Sequence, residues 1–139
     1  MSQYLIVTHQ TAFAPELRVK VGELMAADAA AEFTILVPGT PGQDYTWEGE
    51  TVDAARQTAE ALMKSLEQTL GANVRRIAVG VDDPMQAITN ELPNHPYDTL
   101  VICTLPLGVS QWLRRDLVSA AARKSGLPVI HVVGTVNPG

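Results

Sequence analysis

Residues 97–126 read YDTLVICTLPLGVSQWLRRDLVSAAARKSG, and this stretch decides the fold. From Leu100 to Cys103 it is a continuous apolar, β-prone run. Unbroken hydrophobicity marks a strand covered on both faces, the condition inside a parallel sheet. Ser110 is suited to cap a helix running to about Lys124, and Gly126 stands where that helix would stop. Strand, loop, helix is half of a crossover unit, and the loop after the strand is where α/β proteins hold ligands.

The same signature recurs along the chain. Tyr4 to Thr8, Glu32 to Val37, Val74 to Val79 and Pro128 to Val133 are further apolar runs. Between them lie helical patterns. Pro15 opens the first, with Leu17, Val21, Leu24 and Met25 at helical spacing. Val52, Ala55, Ala59, Leu62, Met63, Leu66 and Leu70 form one face of the second, which Gly71 closes. Asp83, Pro84 and Gln86 read as cap, first turn and capping partner of the third, which ends near Leu92. The order β-α-β-α-β-α-β-α-β predicts a three-layer α/β/α sandwich on a five-stranded parallel sheet.

Composition sets outer limits. The 139 residues suit a single domain spanning 1–139, with residues 134–139 expected to fray. A net charge of −5 with 10 Lys and Arg against 15 Asp and Glu speaks against nucleic-acid or anionic-membrane partners. The lone Cys103 allows no intrachain disulfide and reads as a buried, inert thiol. The amino-terminal MSQYLIVTHQ lacks the basic and apolar regions of a signal peptide, so a cytoplasmic location is expected. The three His are far apart and show no metal-ligand spacing, so no metal is expected.

Three stretches, VGVDDPMQAI, YDTLVICT and SGLPVIHVV, together resemble the universal stress protein family in order and spacing. The resemblance covers nearly the whole chain. It implies strand order 3-2-1-4-5 and a homodimer formed through the edge strand Pro128–Val133. Such pairing would also hide an aggregation-prone edge. Many members hold ATP with Gly-x2-Gly-x9-Gly-Ser/Thr after the fourth strand. Here Thr104 stands at the first glycine position, Pro106 has no N–H to offer, and the late pair falls on Arg115-Asp116 at too short a spacing. Thr8-His9 replaces an Asp common at the end of the first strand.

Ligands of such sheets bind beyond the carboxyl ends of the strands, at the switch in strand order. The expected binding set is Thr8, His9, Val37, Pro38, Gly39, Thr104, Gly108, Ser110, Arg114 and Arg115. Arg114 and Arg115, placed in the first turn of the fourth helix, would bring guanidinium charge to a helix amino terminus. Solvated surface is the plainer reading of that pair. The ligand implied is ATP or another phosphate-containing small anion, in a modified phosphate site or one closed by Leu105, Leu107 and Trp112. No catalytic residue is identified: Ser110 lacks a nucleophile-elbow context and reads as a cap. His131 reads as an edge or dimer residue and His95 as a loop residue. Tyr45 and Trp47 read equally as a lid, a subunit contact or a plug under their loop. The leading reading is a ligand-binding stress protein that needs no catalysis. A nucleotide-dependent enzyme such as a weak ATP hydrolase, and an interaction protein with a vestigial pocket, stay open.

Overall fold

Each apolar run forms a strand of one parallel sheet. The structure, a computed structural model, describes residues 2–8, 14–38, 48–80, 84–104 and 116–134, with the backbone alone for 48–55. Along the chain these are β1 (Gln3–Val7), α1 (Pro15–Ala27), β2 (Glu32–Pro38), α2 (Glu48–Leu70), β3 (Asn73–Gly80) and α3 (Pro84–Glu91). A 3-10 turn (Leu92–Asn94), β4 (Thr99–Thr104), α4 (Leu117–Ser125) and β5 (Val129–Val133) complete the order. The strand order is β3-β2-β1-β4-β5, as the resemblance implied, and every pairing is parallel.

Two cores arise from the two faces of the sheet. Ile6, Phe33, Ile35, Val37, Val101 and Cys103 point to one side, against Leu17 and Val21 of α1 and Ala59, Leu62 and Leu66 of α2. Leu5, Val7, Leu36, Leu100 and Ile102 point to the other, against Ala87 and Ile88 of α3 and Leu117 and Ala121 of α4. Alternation along each strand therefore divides an unbroken apolar run between two cores. Each fully buried Leu, Ile or Val adds about 1.5–3 kcal/mol, so both layers are held mainly by burial.

Helix ends obey the local chemistry. Pro15 and Pro84 are first residues of their helices, where a missing N–H leaves no bond unmade. Gly71 and Gly126 follow α2 and α4 at φ 68° and 71°. Their N–H groups donate to Glu67 and Ala122 carbonyls, the left-handed cap that glycine enters without strain.

The fourth helix departs from expectation. It begins at Leu117, not at Ser110, because Asp116 adopts a left-handed backbone, φ 55° and ψ 42°. Such a residue cannot continue a right-handed helix from the residues before it, and Asp is among the few types that tolerate the conformation. Asp116 is the N-cap residue, and its carbonyl accepts the Ala120 N–H at 3.0 Å. The expected cap Ser110 and the arginines Arg114 and Arg115 lie outside the described residues.

One buried polar cluster braces the α3 face. The Glu91 carboxylate, 4% exposed, accepts Arg76 Nε at 2.9 Å and Nη2 at 3.1 Å. It also accepts Asn94 Nδ2 at 3.1 Å and the Tyr97 hydroxyl at 2.6 Å. Burial alone would raise the Glu91 pKa, but the bonds from Arg76, Tyr97 and Asn94 outweigh it and hold the carboxyl below its ordinary range. Burial and the adjoining Glu91 push the Tyr97 phenol up to about 12. Tyr97 precedes β4, and Arg76 is in register with Thr34 early in β2. The cluster thus lies toward the amino ends of the strands, away from their carboxyl ends.

Candidate functional site

The carboxyl edge of the sheet is built from short, uncharged groups. β1 and β4 are neighbours, and the chain leaves them for opposite halves of the sheet, so the switch in strand order falls between them. The residues at their ends are Thr8 and Thr104, at 0% and 2% exposure. Two buried hydroxyl residues ending adjacent strands interrupt otherwise apolar runs. Thr8 continues the sheet by donating its N–H to the Leu36 carbonyl at 3.2 Å.

Thr104 is tied to the edge strand in two ways. Its carbonyl accepts the Gly134 N–H at 2.8 Å, and its hydroxyl lies 2.7 Å from His131 Nε2. His131, read from sequence as an edge residue, is indeed on the edge strand, and its ring also anchors the residue that begins the expected ligand loop. Desolvation lowers the His131 pKa, which favours the neutral ring. A threonine hydroxyl can donate to or accept from that nitrogen, so the pair is satisfied with either tautomer.

The other strand ends contribute shape. Val37 is fully buried in the α1/α2 core, so only its backbone can reach a ligand. Pro38 is the last residue of β2 and pairs in register with Gly80, the last of β3. A Cβ at Gly80 would lie 2.4 Å from Ala87 Cβ, so the bare glycine lets α3 close against the strand end. Cys103 is buried on the opposite face from Thr104, in the α1/α2 core.

Among the sequence-predicted site residues, the structure brings Thr8, Val37, Pro38 and Thr104 to one edge of the sheet. His9, Gly39, Gly108, Ser110, Arg114 and Arg115 lie outside the described residues, as do Tyr45, Trp47, Asp82, Asp83, Leu105, Leu107 and Trp112. Among the described residues no group of three or more His, Cys, Asp or Glu is placed to hold a metal ion. No described helix is long and apolar enough to cross a membrane.

Sequence reasoning missed the Thr104–His131 bond. The signal was a polar residue inside VIHVV, but only the β4–β5 register identifies its neighbour. It also missed a groove of about 480 Å³ along the outer edge of β5, where Pro15, Glu16, Val19 and Lys20 of α1 line the same space as His131 and Val133.

No family model matches the sequence, and no curated protein matches it. Solved structures do match the fold. A universal stress protein from Archaeoglobus fulgidus is similar at TM-score 0.65 and 16% identity, over 95% of this chain and 93% of that one. A universal stress protein solved in complex with cAMP is similar at TM-score 0.62 and 16% identity, over 96% and 98%. A protein of the universal stress protein family from Burkholderia pseudomallei gives 0.62 and 14%, over 94% of each chain. At these identities the likeness is one of fold.

Proposed function

We propose that this chain is a small-ligand-binding protein of the universal stress protein type. It serves a stress response as a homodimer joined through the Pro128–Val133 edge, in the cytoplasm. Its ligand is a nucleotide or another small phosphate-bearing anion, held at the β1/β4 switch and not chemically altered. The observation carrying this reading is the pair of buried threonines, Thr8 and Thr104, ending the two strands at the switch point. One structure of similar fold was solved with cAMP, which makes a cyclic or linear nucleotide the first ligand to try.

The residues assigned to the ligand are Thr8, Thr104 and the backbone of Val37 and Pro38, joined by His9, Gly39, Gly108, Ser110, Arg114 and Arg115. The arginines supply charge that the glycine-poor loop cannot supply through backbone amides. Melting temperature measured with cAMP, ATP, ADP, AMP and inorganic phosphate, each with and without Mg²⁺, tests the proposal. A rise that is independent of Mg²⁺ and lost in Arg114→Ala or Arg115→Ala supports it. A rise that needs Mg²⁺ would point to the nucleotide-dependent enzyme instead. No rise with any anion, from a protein that remains dimeric, would leave an interaction protein.

A further inference from the structure

A titratable ring holds one of the two threonines at the β1/β4 switch. The Thr104 hydroxyl lies 2.7 Å from His131 Nε2, and the Thr104 carbonyl accepts the Gly134 N–H at 2.8 Å. β4 and β5 pair without a break from Leu100–Val129 to Thr104–Val133. Side chain and backbone of Thr104 are thus both tied to β5, and a change at the imidazole is felt at the strand end. Thr104 is buried, whereas His131 is exposed, so water can deliver a proton to the ring.

The charges around this ring are few. β4 has none from Thr99 to Thr104. Glu16 and Lys20 of α1 share the groove along β5 with His131 and are of opposite sign. On α4, which also packs on β5, the charged residues are Asp116 at the cap and Arg123 and Lys124 in the last turn. Desolvation lowers the His131 pKa, so the ring is neutral at about pH 7.

Protonation changes what this ring does to Thr104. A neutral imidazole offers Nε2 as donor or acceptor, according to tautomer. The charged ring can only donate, so the Thr104 oxygen must accept from it and the hydroxyl hydrogen turns away from β5. The same proton places a positive charge one hydrogen bond from the switch residue.

We infer that an anionic ligand at the β1/β4 switch binds together with a proton, and that His131 takes up that proton. His131 acts as a positioning residue, through Thr104. The coupling is reciprocal: the charged ring favours the anion, and the bound anion favours the charged ring. At high pH the ring is neutral with or without ligand, and affinity is flat. Affinity climbs as pH falls through the titration of the liganded ring, then levels off once the unliganded ring is charged too. The inference rests on the ligand reading above and adds to it a pH response.

Calorimetric titration with cAMP between about pH 8 and pH 5 tests it, since the phosphodiester keeps a single charge throughout. Wild-type affinity should rise about fivefold toward the acid end, the low end of ordinary coupling because His131 acts across Thr104. His131→Gln keeps a hydrogen-bonding group beside Thr104 but cannot titrate, and its affinity should be flat. Saturating cAMP should move the His131 ring titration, followed by NMR, up by about 0.7 pH unit, the same factor seen from the other side. That wild-type measurement decides the matter if His131→Gln does not fold. If neither cAMP nor inorganic phosphate binds at any pH, the ligand reading falls and the inference with it. Binding with the same pH slope in wild type and His131→Gln, or a His131 midpoint that cAMP leaves in place, would overturn the inference alone. A slope kept by His131→Gln and lost in His9→Gln would assign the proton to His9 and overturn it as well.

Discussion

Replacing Glu91 by Ala tests whether the buried cluster on the α3 face stabilises the fold. The carboxylate accepts two bonds from Arg76 and one each from Asn94 and Tyr97. Arg76 is 37% exposed along its side chain and can regain water, so its loss is mild. The Tyr97 hydroxyl is different, because the residue is 7% exposed and its 2.6 Å bond to Glu91 would be lost, leaving Thr34 and Arg76 alongside it. Leaving it short of a partner costs about 1–3 kcal/mol. Removing one buried methylene, Cγ, costs about 0.8 kcal/mol more. The sum is about 3 kcal/mol, read as a lower urea midpoint at unchanged slope. Tyr97→Phe should cost about 1 kcal/mol in the wild type and close to nothing in the Glu91→Ala background, since the bond is already gone. The pH dependence has a defined sign. The folded-state pKa of Glu91 lies below its ordinary value of 4.5. The contribution is therefore complete above about pH 4.5 and is lost as pH falls through the folded-state pKa. Glu91→Ala should lack that part of the acid dependence. A loss below about 1 kcal/mol, or equal Tyr97→Phe costs in both backgrounds, would refute the reasoning.

Three further outcomes are expected. Gly80→Ala should destabilise by about 1–3 kcal/mol, because its Cβ would collide with Ala87, and Ala87→Gly in the same chain should restore part of the loss in a urea double-mutant cycle. Gly126→Ala should cost about 1 kcal/mol through its left-handed backbone alone, since nothing lies within 4 Å of an added Cβ; a melting curve unchanged from wild type would count against it. The His131 pKa is lowered by desolvation, so the folded chain binds fewer protons there than the unfolded chain. Its stabilising contribution is present above about pH 6.5 and is lost as pH falls through the folded-state value, and His131→Gln should flatten the melting temperature between about pH 7 and pH 5 relative to wild type.

The placement of the strand-end residues could be read in advance. Thr8, Val37, Pro38 and Thr104 reach one edge because each ends an apolar run, and in a parallel sheet the strand ends share one side. Contacts between runs were not legible. Arg76 in VRRIAV and His131 in VIHVV are polar residues in apolar strands, and nothing nearby in sequence names their partners. Glu91, Asn94 and Tyr97 come to Arg76 across α3 and the turn after it, and Thr104 comes to His131 across a strand pairing.

By itself the sequence determined the elements and their alternation, because burial on both faces demands unbroken apolar runs and helices demand a 3.6-residue stripe. Those are local constraints, satisfied residue by residue, and Pro15, Pro84, Gly71 and Gly126 mark their ends in the same local way. Tertiary structure alone decided the register and its consequences. Arg75 became a bulge because its neighbours Val74 and Arg76 are committed to Phe33 and Thr34. Asp116 became the start of α4 in a left-handed backbone that no local signal announces. Leu117 and Ala121 are both buried in the α3/α4 core. Which strands are edges is likewise a property of the assembled sheet, since a strand has an edge only when its neighbours are in place.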